Sequence, residues 1–168
     1  MAKTPIVSVV GVSNSGKTTF LVKLIGELKS RGYRVASVKH TSHGFDIDRP
    51  GKDSYRHAEA GADAVVVVSS KKIAMVKNLE QEMSMEDIIG LFSDDYDIIL
   101  VEGYKSYPLP KIEIVREGFS LELLSPIDEL IAVVADGARV ADKPHFSPDD
   151  AAGVTDVIEK TFLKPSKF

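Results

Sequence analysis

The chain has 168 residues, 43% of them hydrophobic and 27% charged, which is enough for one good core and too little for two full-sized domains. With 21 basic and 25 acidic side chains the formal net charge is -4, a poor basis for an extended nucleic-acid surface, though a local basic site is compatible with it. Cysteine is absent, which excludes disulfides, thiolate-zinc sites and cysteine nucleophiles. No apolar run reaches the length of a membrane span, and the apolar start of the chain leads into a glycine-rich turn rather than a cleavage site, so a cytoplasmic protein is expected. Without a linker or an internal repeat, residues 1–163 are expected to form a single domain, with 164–168 a flexible tail.

Along the chain, short apolar runs alternate with helical patterns. Ile6 to Val10 is β-branched and reads as a buried strand. In the helix from Lys17 to Ser30, Phe20, Leu21, Leu24, Ile25 and Leu28 share one face, and Gly32 is placed to end it. A second strand is predicted over Arg34 to Lys39. A polar loop from His40 to Gly51 leads to a short helix over Lys52 to Ala60, stopped by Gly61. Val65 to Ser69 and Ile73 to Val76 are apolar enough for strands. Ser84 opens a helix to about Phe92, with Asp87 as its capping-box acid. Asp97 to Val101 reads as a strongly apolar strand. Lys111 to Arg116 alternates charged and apolar residues, as an edge or half-exposed strand does. Leu130 to Ala135 is another buried strand. Ser147, Pro148, Asp149 and Asp150 have the chemistry of a helix start, and Val154 to Phe162 continues that helix. This alternation implies a mostly parallel sheet covered on both faces.

The strongest motif is Gly11-Val12-Ser13-Asn14-Ser15-Gly16-Lys17-Thr18, which matches G-x-x-x-x-G-K-[ST] at every defined position. A strand precedes it and an amphipathic helix follows, the context a phosphate-binding loop requires. Gly11 and Gly16 permit tight turns and close backbone approach. Backbone N–H groups and the helix N-terminus then face a polyphosphate, Lys17 adds a point charge, and the Thr18 hydroxyl is placed for Mg2+. Thr19 is placed to support the α-phosphate or to act as an ordinary first-turn residue. The fold class that follows is a P-loop NTPase-type three-layer α/β/α architecture.

Such a loop needs an acid at the end of a neighbouring strand. Glu102 follows four apolar residues where a buried strand emerges, while Asp97, before that strand, reads as a solvated edge residue. Asp46 and Asp48 lie in the loop after the second strand, a region that senses the γ-phosphate in many such proteins; a solvated turn is the equal alternative. His40 and His43 have i, i+3 spacing but no clear third or fourth ligand, so a phosphate or substrate contact is preferred to zinc. The N-K-x-D string of many GTP-binding proteins is absent. Asp136, at a strand end after Val133, Val134 and Ala135, stands where an acid meets a guanine edge or starts the Asp136-Gly137 turn.

Taken in order, several strings resemble the MobB family of molybdopterin-guanine dinucleotide biosynthesis adaptor proteins. They are the loop from Gly11 to Thr19, then Lys39 to His43, Asp48 to His57 and Ala60 to Ala62. Leu100 to Lys105 and Leu109 to Glu113 complete the set. The resemblance spans nearly the whole chain. The Pro50-Gly51-Lys52-Asp53-Ser54-Tyr55 and Val101-Glu102-Gly103-Tyr104-Lys105 strings are far more particular than the loop alone. The resemblance implies a GTP-binding homodimer with weak Mg2+-dependent hydrolysis. It would assist a MobA-type guanylyltransferase in joining GMP to molybdopterin, and whether molybdopterin itself touches the chain is left open. The site residues it implies are the whole loop with Lys17 acting on phosphate, Thr18 and Glu102 at Mg2+, and Asp46 or Asp48 as a further acid. Among these, Asp46 is taken with Lys17 and Glu102 as catalytic and with Thr18 and Glu102 as metal-linked.

Two other readings share the loop. A P-loop small-molecule kinase would need an acceptor pocket with a base, Asp46 being the candidate, and an arginine-bearing lid, which is not visible. A GTP-dependent metallochaperone would need a Cys/His cluster, and the chain has no cysteine. No cis arginine or water-positioning glutamine stands out; Arg49 and Arg56 are candidates that sequence alone does not place.

Overall fold

The computed structural model describes residues 4–92, 95–116, 122–137 and 142–163; the expected tail, 164–168, lies outside them. In chain order the elements are β1 (Ile6–Val10), α1 (Lys17–Ser30), β2 (Val35–Lys39), α2 (Asp53–Glu59), β3 (Ala64–Val68), β4 (Ile73–Lys77), α3 (Met85–Gly90), β5 (Ile98–Glu102), β6 (Lys111–Val115), β7 (Leu130–Ala135), β8 (His145–Phe146) and α4 (Ala151–Phe162). The chain divides into two compact units, Met1–His40 with Phe92–Phe168, and Thr41–Leu91.

The first unit is built on a six-stranded sheet in the order β2-β5-β1-β6-β7-β8, with every pairing parallel. Together with its helices it is the P-loop NTPase-type α/β fold expected from the alternation of elements. β1 lies near the middle, paired with β5 on one side and β6 on the other. All five residues of β5 are buried, which explains its unbroken apolar run before Glu102. Leu24 and Leu28 of α1 and Val154 and Ile158 of α4 pack with Val7, Val9, Leu100 and Ile112 into the main core. Each such side chain contributes about 1.5–3 kcal/mol by leaving water.

The end of α1 shows how closely the local sequence dictates geometry. Gly32 N–H donates to the Lys29 carbonyl and Tyr33 N–H to the Leu28 carbonyl, both at 3.1 Å, and Tyr33 and Leu28 are buried together. This is a Schellman ending with its apolar contact. Arg31, just before it, ties α1 to α4 through Asp156 at 2.6 Å and Glu159 at 2.9 Å.

Three expectations are corrected. β6 is not an edge strand: it sits between β1 and β7 with all five residues buried. Its alternating charges are satisfied inside the fold. The Lys111 ammonium donates to the Tyr107 carbonyl at 2.6 Å and to the Glu129 carboxylate, and the Glu113 carboxylate accepts the N–H groups of Leu124 at 2.6 Å and Ser125 at 3.0 Å. The final helix starts at Ala151 rather than in the Ser147-Pro148 turn, because Asp150 is the residue whose carboxylate caps it, accepting from Gly153 N–H at 2.8 Å. Asp97 is not merely solvated; it accepts hydrogen bonds from the Arg34 guanidinium and backbone N–H.

In the second unit, β3 and β4 form an antiparallel ribbon of their own, with Val65 opposite Val76 and Val67 opposite Ala74. Val66, Val67, Val68, Ile73 and Met75 are exposed on it. α3 begins at the predicted Ser84 cap: Ser84 Oγ accepts from Asp87 N–H at 3.1 Å and donates to the Asp87 carboxylate at 2.6 Å. Among the described residues no helix is long and apolar enough to cross a membrane.

The buried Lys111 pair yields a stability prediction. Lys111→Met would leave Glu129 and two inward carbonyls without their cation. Chemical denaturation should then show a loss of about 2 kcal/mol, the scale for leaving buried polar groups unsatisfied, since Glu129 keeps a quarter of its side chain in water. A variant as stable as the parent would contradict this account of β6.

Candidate functional site

The site grows from the end of β1. Gly11 has φ 151°, and a Cβ there would stand 2.6 Å from the Ile114 carbonyl oxygen of β6 and 2.7 Å from Ser15 Oγ. No side chain fits, so glycine is a steric necessity at this turn. Gly16 has a different reason: nothing crowds it, but its φ of 97° is one that L side chains rarely adopt. Asn14, at φ 61°, completes the reversal. α1 then begins at Lys17 with no side-chain cap, so its first-turn N–H groups face the loop. This is the architecture that receives an anion.

Lys17 folds back over the loop, donating to the Val12 carbonyl at 2.7 Å and the Gly11 carbonyl at 3.1 Å. Burial holds its amine below the ordinary lysine range, with Lys105 and Lys39 adding to that and Glu102 opposing it. Thr18 Oγ1 lies 2.9 Å from both carboxylate oxygens of Glu102, a contact across 84 residues that brings the loop hydroxyl to the strand-end acid. Glu102 is 7% exposed and also faces the Lys39 ammonium at 3.4 Å. These groups line a cavity of about 450 Å3 with Ser13, Asn14 and Arg116. Next to it, a cavity of about 310 Å3 is lined by Ser15, Thr19, Lys23, Arg116 and Asp136. Ser15 Oγ is buried there and finds no hydrogen-bond partner among the described residues.

The structure therefore brings Gly11 to Thr19, Glu102 and Asp136 into one unit. Asp46 and Asp48 belong to the second unit, where Asp46 is exposed and the Asp48 carboxylate accepts its neighbour's N–H from Arg49 at 2.8 Å. His40 packs its ring on Tyr104, centroids 4.2 Å apart, beside the end of β5. Sequence reasoning passed over Lys39 and Arg116. Both stand at carboxyl ends of strands beside the loop, a position visible only once the sheet order is known. Thr18 and Glu102 are both oxygen donors, a set suited to a hard cation such as Mg2+ whose remaining ligands are phosphate and water. Among the described residues, no group of three or more histidines or carboxylates is placed to hold a metal ion.

The family profile described as "Molybdopterin guanine dinucleotide synthesis protein B" matches residues 6–136, a stretch that contains every group just described except the helix α4 side of the core. The chain belongs to the MobB family. A Haemophilus influenzae protein named molybdopterin-guanine dinucleotide biosynthesis adapter protein is 38% identical over 78% of this chain and 74% of its own length. An Escherichia coli protein of the same name is 35% identical over 95% of this chain and 94% of its own. The crystal structure of Bacillus subtilis MobB superposes with a TM-score of 0.75, at 31% identity over 93% of this chain and 97% of that one. The likeness to MobB thus extends through both the loop and the sheet that carries it.

The environment of Lys17 predicts a pH dependence. Polyphosphate favours the charged amine, so affinity should fall as pH rises through the depressed Lys17 value, earlier than for an ordinary lysine. Lys17→Arg should lack this alkaline limb. Calorimetric titrations with a nucleoside triphosphate across pH check it; a wild-type affinity that stays flat up to the ordinary lysine range would contradict it.

Proposed function

We propose that the chain is a GTP-binding adaptor of molybdopterin guanine dinucleotide synthesis that assists a MobA-type guanylyltransferase. The observation that carries this reading is the Thr18–Glu102 contact within a phosphate loop, in a chain of the MobB family. When GTP binds, the loop N–H groups and Lys17 hold its phosphates. Thr18 and Glu102 hold Mg2+, which supplies neutralising charge to the phosphate oxygens.

Guanine selectivity rests on Asp136. Its carboxylate only accepts hydrogen bonds, and the guanine edge offers two adjacent donors, N1–H and the 2-amino group. The matching edge of adenine offers an acceptor at N1, which repels a carboxylate. Hydrolysis is slow in this reading. Glu102 is the only acid among the described residues lining the phosphate cavity, which includes no glutamine. With nucleotide bound, that acid would face the metal or its water and the Lys39 ammonium, which makes it a poor base for the attacking water. The further acid, Asp46, rests on the sequence resemblance alone.

A homodimer is part of the reading, supported by the exposed valines and unpaired edges of the β3–β4 ribbon, which a second copy would cover. The acceptor is molybdopterin on the partner enzyme, an adaptor having no transferase chemistry of its own.

Calorimetry with GTP and ATP in Mg2+ tests the nucleotide step. GTP should bind and ATP should bind at least tenfold more weakly. Lys17→Ala should stay folded and lose GTP, and Asp136→Asn should narrow the preference. Tight ATP binding without a GTP preference would sink the proposal in favour of a small-molecule kinase. For the adaptor step, adding the chain to a coupled dinucleotide-formation assay with the guanylyltransferase should raise the yield, and no gain would count against it.

A further inference from the structure

We infer that Arg116 is a nucleotide-binding residue that clamps the α-phosphate and ribose of the bound nucleotide, between its terminal phosphates and its base. The inference rests on the proposal that a nucleoside triphosphate occupies the loop, and names a recognition group for that same site.

Of the cations in the two cavities, Lys17 and Lys39 line the phosphate cavity and Lys23 lines the Asp136 cavity, while Arg116 lines both. The other residues common to the two are Gly16 and Thr19, at the start of α1. A nucleotide with its phosphates in one cavity and its base in the other must pass its α-phosphate and sugar across that shared boundary. Lys17 is committed to the terminal phosphates, Lys39 faces Glu102 at 3.4 Å and Lys23 pairs with Asp149 at 2.6 Å. Arg116 is exposed at the cavity boundary and directly follows β6. Its root is held close to the loop, because β6 pairs with β1 and the Ile114 carbonyl abuts Gly11. A guanidinium offers a planar fork of donors that suits two phosphate oxygens, or one oxygen and a sugar hydroxyl, better than an ammonium does.

The test is a ligand series measured by calorimetry in Mg2+ with the full chain and its Arg116→Ala, Arg116→Lys and Lys17→Ala variants. The ligands are GTP, GDP and inorganic tripolyphosphate. Arg116→Ala should weaken GTP and GDP by the same factor, about tenfold to a hundredfold, because both carry the α-phosphate and ribose. Tripolyphosphate, which places a phosphate at the α position but carries no ribose, should also weaken, by a smaller factor than the nucleotides. Arg116→Lys should fall between, and the melting temperature without nucleotide should be unchanged, since the side chain is exposed. Unchanged GTP affinity in Arg116→Ala would overturn the inference. So would an equal loss for tripolyphosphate, which would mean a general charge effect, or a loss confined to GTP, which would mean a γ-phosphate contact. If the parent fails to bind GTP, or Lys17→Ala binds it as tightly, the proposed site itself is wrong, an outcome distinct from failure of Arg116 alone.

Discussion

Everything in the site depends on how β1 ends. It emerges between β5 and β6, and at Gly11 the neighbouring strand comes so close that a single methyl group would strike the Ile114 carbonyl. Only glycine fits there, and the turn it opens runs through Asn14 and Gly16, both at positive φ, to the start of α1 at Lys17. Parallel pairing then does the rest. β1 and β5 run in the same direction, so the strand-end acid Glu102 and the helix-start hydroxyl of Thr18 leave the sheet at the same edge and meet at 2.9 Å. β6 and β7 deliver Arg116 and Asp136 to that edge in the same way. Carboxyl ends of parallel strands are where such sheets bind ligands, and here β1, between β5 and β6, carries the loop.

Much of this was legible in the sequence where local physics decides. The Ile6–Val10 strand, the Lys17–Ser30 helix and the Leu130–Ala135 strand fall where periodicity places them, because each has an apolar pattern bounded by a glycine or a polar turn. Ser84 with Asp87 announces its cap for the same reason. The failures are those in which tertiary contacts override a local pattern. Lys111 and Glu113 look like the exposed positions of an edge strand. Their burial depends on carbonyls near Tyr107 and on N–H groups at Leu124 and Ser125, which no window around β6 contains. Ser147 and Pro148 have the chemistry of a helix start, yet the turn they make precedes the helix that Asp150 caps. In the site, the loop and Glu102 were readable because a motif and an apolar run mark them. Arg116 was not, since its relevance comes from sheet order alone.

The electrostatics explain how a chain of net charge -4 presents a site for a polyanion. The positive potential is local: first-turn N–H groups of α1, a partly buried Lys17, and Lys39 and Lys105 close enough to depress the Lys17 amine. One acid, Glu102, sits among them, and it is held by Thr18 and Lys39 rather than left to repel phosphate. Lys39, and with nucleotide bound the metal or its water, would leave it little basic capacity for activating water. A site with strong anion-holding groups and a committed acid suits a protein that presents a nucleotide more than one that turns it over, in keeping with the adaptor role borne in the names of its relatives.

The most direct test is a crystal structure of the chain with a non-hydrolysable GTP analogue and Mg2+. The account predicts the triphosphate wrapped by Gly11 to Thr18 and the base in the cavity of Asp136. It also predicts Thr18 Oγ1 turned from Glu102 to the metal, with Glu102 beside the metal or its water. A nucleotide bound elsewhere, or one in the loop with Thr18 still bonded to Glu102 and no metal between phosphate and protein, would contradict it.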